Sequence, residues 1–450
     1  MGNNLFTGKL MRGLVFFLFL GLTFSAYSQH ERVNISKRFL ASLTDGDFKE
    51  AYGELDQEMA GRISLPQLQS IWNSIQTEYG ELVHRQVTDQ DTLEAGYRVV
   101  IFCAFTKGDI DMQIIFNDEN KIEGMFFAPG KFPDSYQPPE YDFTDLYSER
   151  DITVRSGDYS LPGTFYYPSA GKNIPVVVLI HGSGGHERYS TFGLNKPFRD
   201  IAVGLASFGI GVVCFDKRTY VYPRLSEKIE DFTVYDEIIE DAVSAAELAG
   251  NLPETDPGRV FLLGHGFGGM MLPRIADKIN GLGGLIKVAA NARPFEQVML
   301  EHVKHQARLE GDHEHTKDAL KLYKLRVMRV KRGDIEEYSA SELPLNLPPS
   351  YWMDLNDYDH LEYAAGLEIP ALLMHGGRDY SVTETDLEIW KEKLGDKNNV
   401  SFRYFPGLNH LFIEGEGKSN PGEYRFPGNV AIDVILDIRE WVKNEASSGR

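Results

Sequence analysis

The sequence predicts an α/β protein, built on a mostly parallel sheet with helices on both faces and a helical cap insertion, preceded by a small α+β domain. Three observations lead there. After Asn173, short and wholly apolar runs alternate with amphipathic segments; a Pro-rich stretch near residue 130 breaks all periodicity; and the chain before it reads as helices followed by strands.

In the amino-terminal part, Phe48, Ala51, Tyr52 and Leu55 recur at helical spacing after the Asp45-Gly46-Asp47 turn. Ser64 is placed to cap a second helix that buries Leu68, Ile71, Trp72 and Ile75. Tyr97 to Phe105, Met112 to Phe116 and Ile122 to Phe126 are rich in β-branched and aromatic residues, with Asn117-Asp118-Glu119-Asn120 as the turn between the last two. Residues 29–128 are therefore expected to form a small domain with an antiparallel sheet. Pro129, Gly130, Pro133, Pro138 and Pro139 mark residues 129–146 as a linker.

The remainder, 147–450, opens on an expected hairpin through Ile152 to Val154 and Leu161 to Tyr167. The apolar runs follow: Val176 to Ile180, Val212 to Phe215, Val260 to Leu263, Leu285 to Ala290, Ala371 to Met374 and Phe402 to Phe405. Runs without polar alternation are those of a parallel sheet buried on both faces. A segment at about 295–358 interrupts the rhythm with a charged helical stretch, Glu301 to Arg332, and the Pro-rich Leu343 to Tyr351, which is the mark of a cap.

Lys9 and Arg12, the apolar run Leu14 to Phe24, and Ala26-Tyr27-Ser28 before Gln29 have the pattern of a secretory signal cleaved near Ser28-Gln29. The expected mature chain is exported, periplasmic or extracellular, and contains no later stretch long and apolar enough to span a membrane. Losing Lys9 and Arg12 moves the formal charge from −20 to −22, which argues against a nucleic-acid partner. Cys103 and Cys214 each lie inside an apolar strand, in different domains, and are expected as buried free thiols.

The chemistry is concentrated at the ends of the apolar runs. Gly264-His265-Gly266-Phe267-Gly268-Gly269 follows a buried strand at once and leads into a helix, with glycines at the spacing of a nucleophile elbow, Gly-x-Ser-x-Gly. The central position is Gly266. Taken alone, such a turn could instead cradle a phosphate, the lesser of the two readings. The later segments weigh against that: Asp379 directly follows the strand around Leu372, and His410 follows the last strand, in the order nucleophile, acid, base. Upstream, Val177 to Ile180 runs into His181-Gly182-Ser183-Gly184-Gly185, a loop of the type that forms an oxyanion hole. The backbone N–H groups of Ser183 and Phe267 are the candidate donors.

No cofactor motif stands out, and no metal site is expected. His302, His305, His313 and His315 cluster in the cap, but Glu301, Lys304, Glu310, Asp312 and Glu314 around them read as an exposed helix face and loop. Tyr220, Tyr222, Tyr351 and Trp352 are candidates for the wall of an acyl pocket, or else for core.

Taken together, these segments resemble exported carboxylesterase-like α/β-hydrolases whose amino-terminal domain is similar to nuclear-transport-factor-2-like domains. The resemblance is carried by Asn195 to Asp200, Phe215 to Tyr220, Gly264 to Gly269, Leu343 to Pro348, Gly377-Arg378-Asp379 and Gly407-Leu408-Asn409-His410. It implies the α/β-hydrolase fold and hydrolysis of carboxylic esters through an acyl-serine intermediate, with Asp379 and His410 completing the triad. The chain departs from that pattern at Gly266, which has no oxygen to acylate, so acyl-enzyme catalysis is expected to be lost or very weak. Two readings stay open: an impaired ester hydrolase, or a non-catalytic binding protein for an ester, lactone or acyl ligand. Retention of Asp379 and His410 favours the first.

Overall fold

The computed structural model describes residues 31–93, 96–131, 135–310 and 313–448; the expected export signal lies outside them. The chain divides into two compact units between Pro133 and Asp134.

In the first unit, four helices precede an antiparallel sheet. A helix over 31–45 is followed by Phe48–Gly53, Gln57–Arg62 and Leu65–Tyr79. Ser64 and Gln67 form a capping box at the start of the last of these, as the sequence indicates. The strands β1 (Leu82–Leu93), β2 (Gly96–Phe105), β3 (Gly108–Phe116) and β4 (Ile122–Pro129) pair in chain order. Trp72 packs on Phe105 at 6.0 Å between ring centroids, over Phe39, Leu68, Ile101 and Met112. Three elements were not foreseen, one of them the short helix Gln57–Arg62, which buries no residue. The helix over 31–45 buries Ile35, Phe39, Leu40 and Leu43, and β1 is an edge strand whose far half is exposed. Being half solvated, β1 shows no apolar alternation.

The second unit is built on eight strands: β5 (Tyr147–Ser156), β6 (Tyr159–Pro168), β7 (Ile174–Ile180), β8 (Gly211–Phe215), β9 (Thr255–His265), β10 (Gly284–Val288), β11 (Ala371–Gly376) and β12 (Val400–Phe405). Their order across the sheet is β12-β11-β10-β9-β7-β8-β6-β5. β5 and β6 form the antiparallel hairpin and β6 runs antiparallel to β8, while every pairing from β8 to β12 is parallel. Successive residues of β7 serve opposite faces: Val176, Val178 and Ile180 join Ala242, Met271 and Ile275, while Val177 and Leu179 join Phe198, Ala202, Ile435 and Ile438. Both faces are thus sealed, which is why the strand sequences carry no polar alternation.

Between β10 and β11 the chain leaves the sheet to form the cap. Its long helices are Phe295–Glu310 and Glu314–Arg332, followed by 3₁₀ turns at Ala340–Glu342 and Pro344–Asn346 and by the helices Pro349–Asn356 and His360–Gly366. Among the described residues, no helix is long and apolar enough to cross a membrane.

Cys103 and Cys214 are buried free thiols in β2 and β8. Burial pushes the Cys103 thiol up to about 12 and moves Cys214 in the same direction. The native protein should therefore leave a thiol-specific chromogenic reagent unconsumed, while the chain unfolded in guanidinium consumes two equivalents. Rapid reaction of either thiol in the native state would contradict the burial.

Candidate active site

The turn from β9 into the helix Phe267–Ala276 is made over a single residue. Gly266 has φ 55 and ψ −119, a backbone conformation open to glycine and strained for a side chain. The flanking glycines have a different cause, which is close approach. A Cβ at Gly264 would sit 2.6 Å from the backbone of Gly268, and one at Gly268 would sit 2.3 Å from the carbonyl oxygen of His181. A Cβ at Gly269 would meet that of Ala290 at 2.7 Å. From below, the buried Lys287 Nζ donates to the Gly269 carbonyl at 2.9 Å and lies 4.2 Å from the centre of the Trp390 ring. Burial holds its ammonium down to about 7.

Asp379 and His410 meet at the same place. His410 Nδ1 lies 2.6 Å from Asp379 Oδ2, and the other carboxylate oxygen accepts the backbone N–H groups of Ser381 and Val382 at 2.7 and 3.0 Å. The carboxylate is thereby locked and the imidazole takes its orientation from it. The opposite ring nitrogen, Nε2, faces the turn: an ideal Cβ on Gly266 would lie 3.7 Å from it. His265 braces the arrangement. Its ring centroid is 4.5 Å from that of His410, and its Nε2–H donates to the His410 carbonyl at 2.8 Å. Burial, then the neighbouring His410, lowers the His265 imidazole to about 3, so it is neutral.

The loop carrying His410 is closed by Asn409, whose Oδ1 accepts the N–H groups of Leu411 and Ile413 at 2.9 and 3.1 Å and whose Nδ2 donates to Glu423 at 3.2 Å. The loop after β7 is held by buried charge. Glu237 Oε1 accepts from the Gly184 N–H and from Lys217 Nζ, both at 2.7 Å, and Tyr351 donates to Oε2 at 2.5 Å. Burial opposes the Glu237 charge, but Lys217 and these hydrogen bonds outweigh it and hold the carboxyl below its usual range. Lys217 also donates to the Gly182 carbonyl at 2.7 Å. Among the described residues, the backbone N–H groups of Ser183 and Phe267 donate to no acceptor, and Phe267 opens its helix, where the first N–H has no intrahelical partner. The Ser183 hydroxyl turns to Glu237, 3.3 Å away.

Residues 177–424 match the family described as "Alpha/beta hydrolase family", and esterase EstD of Thermotoga maritima is 36% identical over 438 residues, covering 96% of this chain and 100% of that one. The chain belongs to the α/β-hydrolase family. Residues 36–125 of this α/β-hydrolase match a second family, described as a protein of unknown function (DUF3887). Among solved structures, Est1E from Butyrivibrio proteoclasticus aligns with 66% of this chain and 99% of its own, at 14% identity and a TM-score of 0.42. An esterase from Pyrobaculum calidifontis aligns with 66% of this chain and 86% of its own, at 14% identity and the same TM-score of 0.42.

In this α/β-hydrolase the turn, the imidazole and the loop all open on one cavity of about 660 Å³. Its apolar wall comes from Phe232 and from the cap residues Phe295, Val298, Met299, Leu345 and Leu347. The aromatic candidates are elsewhere: Tyr351 and Trp352 are fully buried core, Tyr222 packs on Tyr159 at 5.1 Å, and Tyr220 is exposed. The pocket is lined instead by aliphatic and phenyl side chains, several of them from the cap, and by two tyrosines not foreseen, Tyr380 and Tyr424, which no spacing rule connects to the strand ends. The four cap histidines split. His302 reaches Ser381 Oγ at 3.0 Å and His305 stacks on Tyr380, while His313 stacks on His315. Among the described residues, no group of His, Cys, Asp or Glu is arranged to hold a metal ion.

Burial lowers the His410 imidazole while the charge and hydrogen bond of Asp379 raise it; the balance lies above the ordinary 6.5. The pair therefore stabilises the folded chain fully below that value, and the contribution fades as pH climbs through the raised one. Replacing Asp379→Asn leaves burial as the main influence, so an imidazole NMR titration should move His410 from a midpoint above 6.5 to one below it. An unchanged midpoint would dissolve the pairing.

Proposed function

We propose that this α/β-hydrolase binds carboxylic esters in the capped pocket and hydrolyses them slowly, with His410 acting as general base toward water instead of toward a serine. The reading rests on one observation. An imidazole oriented by a buried carboxylate faces, at 3.7 Å from its ideal Cβ position, a residue with no side chain.

In this mechanism a water hydrogen-bonded to His410 Nε2 gives up a proton to the ring and adds to the ester carbonyl carbon. The developing oxyanion meets the N–H groups of Phe267 and Ser183, the first reinforced by the dipole of its helix. Collapse expels the alcohol, which takes the proton back from His410, and Asp379 stabilises the imidazolium in between. Oxyanion donors and positioning alone leave roughly 10³–10⁴-fold catalysis over water in triad enzymes stripped of the triad, so slow turnover is the natural scale. A pocket kept for a ligand that is never cleaved would have no use for the Asp379–His410 pair. That pair supports hydrolysis over the binding-protein reading.

The deciding experiment is a panel of p-nitrophenyl acyl esters on the protein, on His410→Ala and on Gly266→Ser. The parent should turn over slowly and the alanine variant should fall to background. Serine at 266 places its oxygen one bond beyond the Cβ position, within hydrogen-bond reach of Nε2. We expect a gain on the order of 10²–10⁴-fold, with labelling by a fluorophosphonate. The same substitution puts a side chain at φ 55, costing roughly 1 kcal/mol and lowering Tm by about 1–3 °C. Turnover unaffected by His410→Ala would refute the base role, and a serine variant inert to the fluorophosphonate would refute the elbow.

A further inference from the structure

The second cap helix, Glu314–Arg332, presents a surface that the pocket does not use. Val327 and Val330 turn inward and are buried, whereas Leu322, Leu325 and Met328 are 50%, 45% and 51% exposed. They stand three residues apart in turn, on neighbouring turns of one side of the helix. The same helix carries seven cations, Lys317, Lys321, Lys324, Arg326, Arg329, Lys331 and Arg332, against the two acids Glu314 and Asp318, in a chain of formal charge −20. Arg326 and Arg329 are engaged within the cap, on Asn346 Oδ1 at 3.4 Å and the Glu342 carbonyl at 3.0 Å. Lys321, Lys324 and Arg332 are exposed and make no ion pair among the described residues.

At 100° per residue, Lys321, Lys324 and Arg332 fall on the same side as Leu325 and Met328, while the two acids of that side, Glu314 and Asp318, lie in the first two turns, so from Lys321 onward the outward face mixes large apolar side chains with positive charge. Water solvates the cations of such a face and leaves the leucines and methionine uncovered. A lipid surface with anionic headgroups accommodates both, since the apolar side chains enter the headgroup and acyl boundary while the ammonium groups meet negative charge. An acidic protein groove would match the charge, but it must also supply an apolar floor for three side chains. The helix is tied to the pocket rim through Arg326 and Asn346, whose neighbour Leu345 is itself 43% exposed and lines the pocket.

We propose that the outward face of Glu314–Arg332 docks this protein on anionic lipid surfaces, setting the pocket rim at Leu345 against the bilayer. The inference is independent of the hydrolytic reading, because binding requires neither His410 nor Gly266. It is tested by flotation of the full chain with phosphatidylcholine vesicles that contain or lack phosphatidylserine. Alongside run the double variants Leu325→Glu with Met328→Glu and Lys321→Glu with Lys324→Glu, all at exposed positions and checked for unchanged melting. Binding should require phosphatidylserine and weaken with added salt. It should fall by more than about 25-fold in the lysine variant, at about fivefold per cation removed, and vanish in the apolar one. Binding that survives both variants belongs to another segment and overturns the proposal. So does the absence of vesicle binding, including the case in which the helix instead retains an acidic protein.

Discussion

At the carboxyl end of β9 the chain reverses into a helix over Gly266 alone, and the backbones on either side come into contact. The parallel sheet brings β7 and β9 side by side, so the loop leaving β7 passes directly over the first turn of that helix. Gly264 and Gly268 are there because hydrogen is all that fits between these backbones. The rest of the site follows from this crowding. It places Phe267 beside Ser183 on the wall of the cavity, and it sets residue 266 facing His410 of the loop after β12. Gly266 itself obeys a different rule, conformation and not space, and a residue with a side chain would be held there under strain.

Buried charge then holds the three loops in register. Glu237 with Lys217 fixes the loop after β7, Asp379 with His410 fixes the imidazole, and Asn409 with Glu423 closes the loop that carries His410. Pairs of this kind contribute little net stability, because each charge loses its hydration on burial. What they supply is geometry: removing either partner leaves a buried, unsatisfied group, so the loops have one acceptable arrangement. For this reason the frame does not depend on a side-chain oxygen at residue 266. None of its braces runs through the side chain of residue 266.

The cap adds a different kind of constraint. Its apolar residues Phe295, Val298 and Leu347 line the cavity on one side, while its outer helix exposes its apolar residues to solvent. A helix with valines inward and leucines, methionine and lysines outward has two apolar sides, and only one is used by the folded chain. The asymmetry of charge between that helix and the strongly acidic remainder gives the outer side a direction.

The apolar runs that became β7 to β12, the glycine turn, and the positions of Asp379 and His410 were all legible in the residues, because a parallel sheet buried on both faces leaves no polar alternation and the chemistry sits where each strand ends. Sequence alone also determined that residue 266 carries no side-chain oxygen. The tertiary structure decided what short-range pattern cannot encode. Glu237 lies in a π-helical turn with no motif of its own, yet it is the residue that ties the β7 loop to Lys217 and Tyr351. Tyr351 and Trp352 turned out to be core because the cap folds their helix inward. The half-solvated β1 was invisible for want of a buried face. For Glu237, Tyr351 and Trp352 the deciding contacts join separate elements of the chain, and only the packing of whole elements brings them together.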